Sequence, residues 1–296
     1  MRLEQQEFAP VVLEHVLSAI EAKLSTVNKR RIILTDLDYT LFSSYGFNPA
    51  TNDHLPKIDP ELIAAVRPHH LIAATGRRAD NPTIPLLWES GLIPTDVPVI
   101  AENGGILVSQ RHGTLEYLDL VHHHELGLLE EIQHELTDKL IGIPSGLKLV
   151  FKRGRTMLIT RLQDDEGLTM PHCQEWLEEN INSLISVPSM RVVNSRVSVT
   201  IQHKDINKRT AFQYYLSLQD IARDSIFVIG MGDGENDKEI FEEADLSLGF
   251  SDVVKSMVDI YVPHGAVVTP DILNRINKKT IQQQVASTRR IAYGSQ

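Results

Sequence analysis

A single cysteine, Cys173, occurs in 296 residues, so the chain forms no internal disulfide and offers no thiolate-rich metal site; the lone thiol reads as a bystander rather than a nucleophile. No apolar run approaches the roughly 20 residues that a membrane helix needs. The first 25 residues carry Glu4, Glu7, Glu14 and Glu21 and no signal-like apolar block, which argues against a secretory or transit peptide. A basic excess is also missing. The formal charge of −10 argues against nucleic acid as a general partner, because neutralising phosphates needs a basic face. A small anionic substrate needs only a local cluster of Lys and Arg. The expectation is a cytoplasmic protein with no membrane segment. At 42% hydrophobic and 23% charged, its composition is that of a globular protein, long enough for one large or two smaller domains.

Phe8, Val12, Val16, Ile20 and Leu24 recur at helical spacing, which predicts an amphipathic helix over 8–26 that packs on the core. "RRIILTDL" (30–37) reads as a buried strand. Asp59 and Pro60 open a helix over 59–66 as N-cap and first helical residue. A second buried strand covers 70–76, a helix 83–92 and a third strand 97–105. Such alternation points to a parallel sheet with helices on both faces. The middle of the chain differs: helix 122–139, strands 146–153 and 155–162, helix 170–184, strands 190–195 and 196–202. Helix, strand, strand, twice over, predicts a small antiparallel sheet with helices on one face. From 207 the first pattern returns with a helix (207–218), a strand (225–233), a helix (236–244), short strands at 246–250 and 259–263, and a polar helical tail from Asp271. The fold class is therefore α/β, a Rossmann-like doubly wound core with an α+β module inserted into it. The expected divisions are a helical extension (1–29), the core (30–112 and 203–275), the insert (113–202) and the tail (276–296).

Ligands bind at the carboxyl ends of strands in open parallel sheets. Four predicted strands end there in polar residues: Asp36 and Asp38; Thr75 and Gly76; Glu102 and Asn103; Asp233 and Asp237. Lys208 opens the helix at 207. Acids, a hydroxyl and an ammonium on one edge make a site for Mg²⁺ and phosphate, since Mg²⁺ takes oxygen ligands and shares its shell with substrate phosphate. Each part alone has a plainer reading: a solvated turn for Asp36 and Asp38, a helix cap for "TGRR", a surface ammonium for Lys208. "GDGEND" is not an EF-hand loop, since its sixth and twelfth positions would be Lys238 and Ala244. The run "HHHE" (122–125) reads as a solvated cluster on a polar helix. The plain readings weaken because all the parts occur together, in this order, each at a strand end or helix start.

"DLDYT" (36–40), "TGR" (75–77), Lys208 and "GDGEND" (232–237) together resemble the four motifs of the haloacid dehalogenase superfamily of phosphohydrolases. With "VIAENGG" (99–105) and the inserted pattern, the resemblance narrows to the branch with an α/β cap, which holds Cof-type, sucrose-phosphate and mannosyl-3-phosphoglycerate phosphatases. It covers roughly 30–270. The helical lead-in stands outside it, Tyr39 replaces the commoner Gly of the first motif, and "FSSYGFNPATNDHLPK" (42–57) is longer than the usual flap. The resemblance implies Asp36 as nucleophile, forming an aspartyl phosphate, and Asp38 as acid and then base. It implies a small phosphorylated substrate held by Thr75, Gly76, Arg77 and Lys208. Mg²⁺ would be held by Asp36, Asp38 through its main-chain carbonyl, and Asp233, with Asp237 close by. Asn103, Asn236 and, in the insert, Lys152 and Arg161 are candidates for further substrate contacts.

Three functions compete. A Mg²⁺-dependent phosphatase acting on a sugar phosphate or glycosyl phosphoglycerate releases inorganic phosphate, whereas a phosphomutase of the phosphomannomutase type isomerises its sugar without release. A non-catalytic receiver-like switch also places acids, Thr and Lys around Mg²⁺, but it has no inserted cap and no acid two residues beyond its acceptor, so Asp38 and the chain length count against it.

Overall fold

The structure is a computed structural model that describes residues 10–48, 53–121, 123–164, 174–195, 198–263 and 265–277. Cys173, the side chains of the histidine run at 122–125 and the tail beyond 277 lie outside the described residues. In chain order the elements are α1 (Pro10–Leu24), β1 (Arg30–Thr35), β2 (Tyr45–Asn48), β3 (Asp53–Pro56), α2 (Pro60–Val66), β4 (Leu71–Ala73), α3 (Thr83–Glu89), β5 (Val99–Ala101), β6 (Ile106–Arg111) and β7 (Thr114–Asp119). Then come α4 (His123–Lys139), β8 (Lys148–Arg153), β9 (Met157–Gln163), α5 (Gln174–Leu184), β10 (Met190–Ser195), β11 (Ser198–His203), α6 (Lys208–Leu218), β12 (Ile226–Gly232), α7 (Lys238–Glu243), β13 (Leu246–Gly249) and β14 (Ile260–Tyr261). A last helix, α8, runs over 269–277. Among the described residues no helix is long and apolar enough to cross a membrane.

Five parallel strands in the order β14-β13-β12-β1-β4 form the central sheet. Its interior strand β1 buries Ile32, Ile33 and Leu34 at 0–1% exposure, as the unbroken apolar run requires of a strand covered on both faces. The chain leaves β1 toward β4 and returns much later to β12 on the other side. This reversal opens a crevice at the carboxyl ends of β1 and β12. Helix α1 buries Val16, Leu17, Ile20 and Leu24 in the same core, while Val12 is exposed.

The second sheet, β10-β11-β9-β8, is antiparallel. One face packs Leu158, Leu162, Val199 and Ile201 against Leu129, Ile132 and Leu136 of α4 and Leu177 and Ile181 of α5, an apolar cluster of its own. This is the predicted helix-strand-strand pair, built as expected.

Two expectations change. Residue 112, the expected end of the first core segment, falls inside a hairpin: β6 and β7 pair from Ile106–Asp119 to Arg111–Thr114 and extend the sheet begun by β5. The turn uses His112 and Gly113, both with positive φ (51° and 79°), the conformation that matches the strands' right-handed twist. The stretch from Asp271 is amphipathic where it is described, with Ile272, Leu273 and Ile276 fully buried in the main core.

Candidate active site

Asp36 follows β1 at the crevice, and the register of β1 with β12 sets Asp233 beside it. Lys208 begins α6, whose N-cap Asn207 accepts the Thr210 N–H at 2.8 Å and forms a capping box with it. That cap aims the lysine into the crevice. Its side chain is fully buried, and Nζ donates to Asp36 Oδ1 and to Asp237 Oδ1, each at 2.6 Å. Burial alone would lower the Lys208 pKa, but Asp237 and Asp36 outweigh it and hold the ammonium above its usual range. Asp36 is pushed well above the usual carboxylate range, first by burial and then by Asp237, Asp233 and Asp38, with Lys208 opposing.

Asp237 orders the loop around it. Oδ2 accepts the backbone N–H groups of Asp233 and Gly234, both at 2.9 Å. Gly232 is required here, because a Cβ would lie 2.5 Å from that of Asp237. Oxygens of Asp36, Asp233 and Asp237 lie within 4.8 Å of one another. Three carboxylates against one ammonium leave an excess of negative charge, so the donor set suits a hard divalent cation. With both oxygens of Asp237 taken by protein donors, Asp36 and Asp233 are the better placed ligands.

Asp38 turns away from this cluster. Arg77 grips it with Nε to Oδ2 at 2.9 Å and a terminal nitrogen to Oδ1 at 2.7 Å. The other end of the guanidinium donates to Asn81 Oδ1 at 3.2 Å and Thr83 Oγ1 at 2.8 Å. Arg77, expected at the phosphate, thus directs its side chain to Asp38. Tyr45, the first residue of β2, donates its hydroxyl to Asp38 Oδ1 at 2.9 Å. Burial, first, and then Asp38 raise the tyrosine's pKa, so it stays a donor. Thr75 is fully buried at the end of β4, its Oγ1 accepting the Arg77 N–H at 3.1 Å. Asn236 lies half-buried against Gly234.

The insert's sheet turns its other face to this crevice. Asn103 donates through Nδ2 to Gln202 Oε1 at 3.2 Å, and Arg191 pairs with Glu239 of α7 at 2.8 Å. Strand register places Lys148, Lys152 and Arg161 on the face that carries Thr200, Gln202 and Arg191. Arg153 falls on the opposite face, and Arg155 pairs with Asp119 at 2.8 Å.

Glu102, a polar strand end in the sequence, has a structural part of its own. It is 1% exposed and joins the two modules: Oε1 accepts the N–H of Ala79 (3.1 Å) and of Arg155 (3.0 Å), and Oε2 accepts the Thr156 N–H (2.7 Å) and hydroxyl (2.8 Å). Gly154 permits the approach, since a Cβ there would meet both carboxylate oxygens at 2.8 Å. Glu102→Ala orphans four donors, each worth roughly 1–3 kcal/mol when buried. With water admitted, the expected loss of stability is about 3 kcal/mol, read as a lower urea midpoint. An unchanged midpoint would show that the junction is solvated and weak.

The model of a family described as haloacid dehalogenase-like hydrolase matches residues 153–260, a span that includes Lys208, Asp233 and Asp237. No curated protein matches the sequence. A structure from Plasmodium vivax described as a HAD/COF-like hydrolase superposes with a TM-score of 0.62 at 15% identity, over 89% of this chain and 99% of that one. A haloacid dehalogenase-like hydrolase from Bacteroides thetaiotaomicron gives 0.53 at 16%, over 84% and 100%. The trehalose-6-phosphate phosphatase of Aspergillus fumigatus gives 0.51 at 12%, over 87% and 97%. At these identities the likeness is one of fold. The family match bears on residues 153–260 alone.

Proposed function

We propose that the protein is a Mg²⁺-dependent phosphatase of a small phosphorylated metabolite, of the sugar-phosphate or glycosyl-phosphoglycerate class. The observation that carries this reading is the buried Asp36–Lys208–Asp237 chain beside Asp233, at the carboxyl ends of β1 and β12. Lys208 holds Oδ1 of Asp36, and the other oxygen attacks phosphorus. The ester P–O bond breaks and Asp38 gives its proton to the leaving alkoxide. Asp38 then takes a proton from the water that attacks the aspartyl phosphate, which frees Asp36 and inorganic phosphate. Lys208 and the N–H groups after Thr75 face the phosphoryl oxygens. Asp36, Asp233 and the Asp38 carbonyl would hold Mg²⁺, which when bound offsets the charge of the acids and the phosphoryl group.

Support for a sugar phosphate comes from the cationic face of the inserted sheet and from the fold shared with a trehalose-6-phosphate phosphatase. A panel of phosphate esters tests the reading: Mg²⁺-dependent release of inorganic phosphate is expected, while isomerisation without release would mean a phosphomutase, and neither would sink both. Lys152→Ala and Arg161→Ala should each raise KM for the best sugar phosphate about tenfold, the size of one charge-assisted hydrogen bond. p-Nitrophenyl phosphate, too small to reach the cap, should be spared. Unchanged KM on both would remove this face from substrate recognition.

A further inference from the structure

The geometry points to Tyr45 as a positioning residue: together with Arg77, the first residue of β2 sets where Asp38 delivers its proton. This rests on the phosphatase reading above. Asp38 stands three residues beyond the end of β1, in a turn where Tyr39 adopts a positive φ of 58°, so the sheet alone does not fix its side chain. Three hydrogen bonds from two other segments do. Arg77 supplies two of them, at 2.9 and 2.7 Å, and is itself braced by Asn81 and Thr83. Tyr45 supplies the third, at 2.9 Å.

The two holders differ in what they permit. A guanidinium only donates, so it suits Asp38 as a carboxylate, the form that takes a proton from water. A phenol can turn. The Tyr45 hydroxyl accepts the Tyr39 N–H at 3.2 Å and has a second acceptor in the Phe42 carbonyl at 3.3 Å. When Asp38 carries its proton on Oδ1, the tyrosine hydrogen swings to Phe42 and the reversed contact holds the carboxyl until that proton turns to the leaving oxygen. Tyr45 therefore holds Asp38 in both halves of the reaction, whereas Phe at this position holds it in neither. Strand β2 lies in the segment 42–57 and brings this phenol to the site from outside the four motifs.

The experiment compares leaving groups. Tyr45→Phe should lower kcat/KM about tenfold for an alkyl phosphate, one hydrogen bond's worth. p-Nitrophenyl phosphate, whose leaving group needs no proton, should change less than about twofold on the same ground. On an Asp38→Asn background Tyr45→Phe should have no further effect. Arg77→Lys keeps the charge but loses the fork and should show the same selectivity, which keeps the test open if Tyr45→Phe folds poorly. Equal losses on both substrates, or a further loss on the Asp38→Asn background, overturn the proposal. If Asp38→Asn itself fails to discriminate leaving groups, the reading of Asp38 as the acid falls and this inference with it. If Asp38→Asn discriminates and Tyr45→Phe does not, the inference alone falls.

Discussion

Asp36→Asn is expected to abolish phosphate release without loss of stability. The amide matches the carboxyl in shape but has no charge to attack with, and it is a weak ligand for Mg²⁺. Stability should move the other way from activity. Asp36 is buried among three acids, and its pKa is raised well above the usual range, first by burial. Such a carboxyl is ionised more readily in the unfolded chain, so at neutral pH its charge opposes folding. Replacing it with a neutral isostere removes that opposition, while Asp237 keeps Lys208 paired at 2.6 Å. In metal-free buffer the variant should therefore melt no lower than the wild type. The decisive measurement is phosphate release within minutes of purification, repeated over days to detect slow hydrolysis of the amide back to Asp. Activity at more than a thousandth of the wild-type rate in the fresh sample would sink the covalent mechanism, since loss of a nucleophile costs far more.

What the sequence showed plainly is what lies close in the chain. Asp36 and Asp38, the Thr75 loop and Asp233 with Asp237 each sit at the end of an apolar run, and the ends of neighbouring parallel strands meet in space. Lys208 was legible through the helix start at Asn207. The insert was legible from its change of pattern. What escaped depends on side chains that meet across long separations. Nothing local says that Arg77 turns to Asp38, 39 residues earlier, rather than to phosphate. Tyr45 carries no local signal, because it lies in an irregular stretch between motifs. Glu102 looked like one more acid at a strand end, and only the β8–β9 turn, some 50 residues on, reveals its partners. The β6–β7 hairpin had a readable signal in His112–Gly113, set between strand-like runs. The helix after 268 was misjudged from its polar far end, although Ile272, Leu273 and Ile276 already mark an apolar face.

Lys208→Met should lose both activity and stability, the reverse of the asymmetry expected at Asp36. The lysine is fully buried and neutralises two carboxylates at 2.6 Å. Methionine fills similar space but leaves both acids without their cation. Breaking a buried pair by removing one partner costs about 3–5 kcal/mol, and a metal-free melting curve should show a loss of that order. The pH dependence supplies a control with a definite sign. The folded pKa of Lys208 is raised, so its contribution is fully present below the lysine range of the unfolded chain and is lost only as pH climbs past the folded value. On the alkaline side, the stability gap between wild type and variant should therefore hold through neutral pH and shrink in strong alkali. It should also narrow on acidification, because Asp36, already pushed upward by burial, takes up a proton sooner in the folded variant than in the unfolded chain. For activity, the ammonium faces charge that grows on the phosphoryl oxygens, and losing such a donor costs about 2.7–4 kcal/mol, or roughly 100- to 1,000-fold in kcat. Added Mg²⁺ should recover part of the stability by neutralising the acids, but not the turnover, because it cannot occupy the position of Nζ between Asp36 and Asp237. A variant with normal kcat and a raised KM would mean that Lys208 binds substrate and transition state alike. A gap that widens on acidification would contradict the charge balance assigned to this cluster.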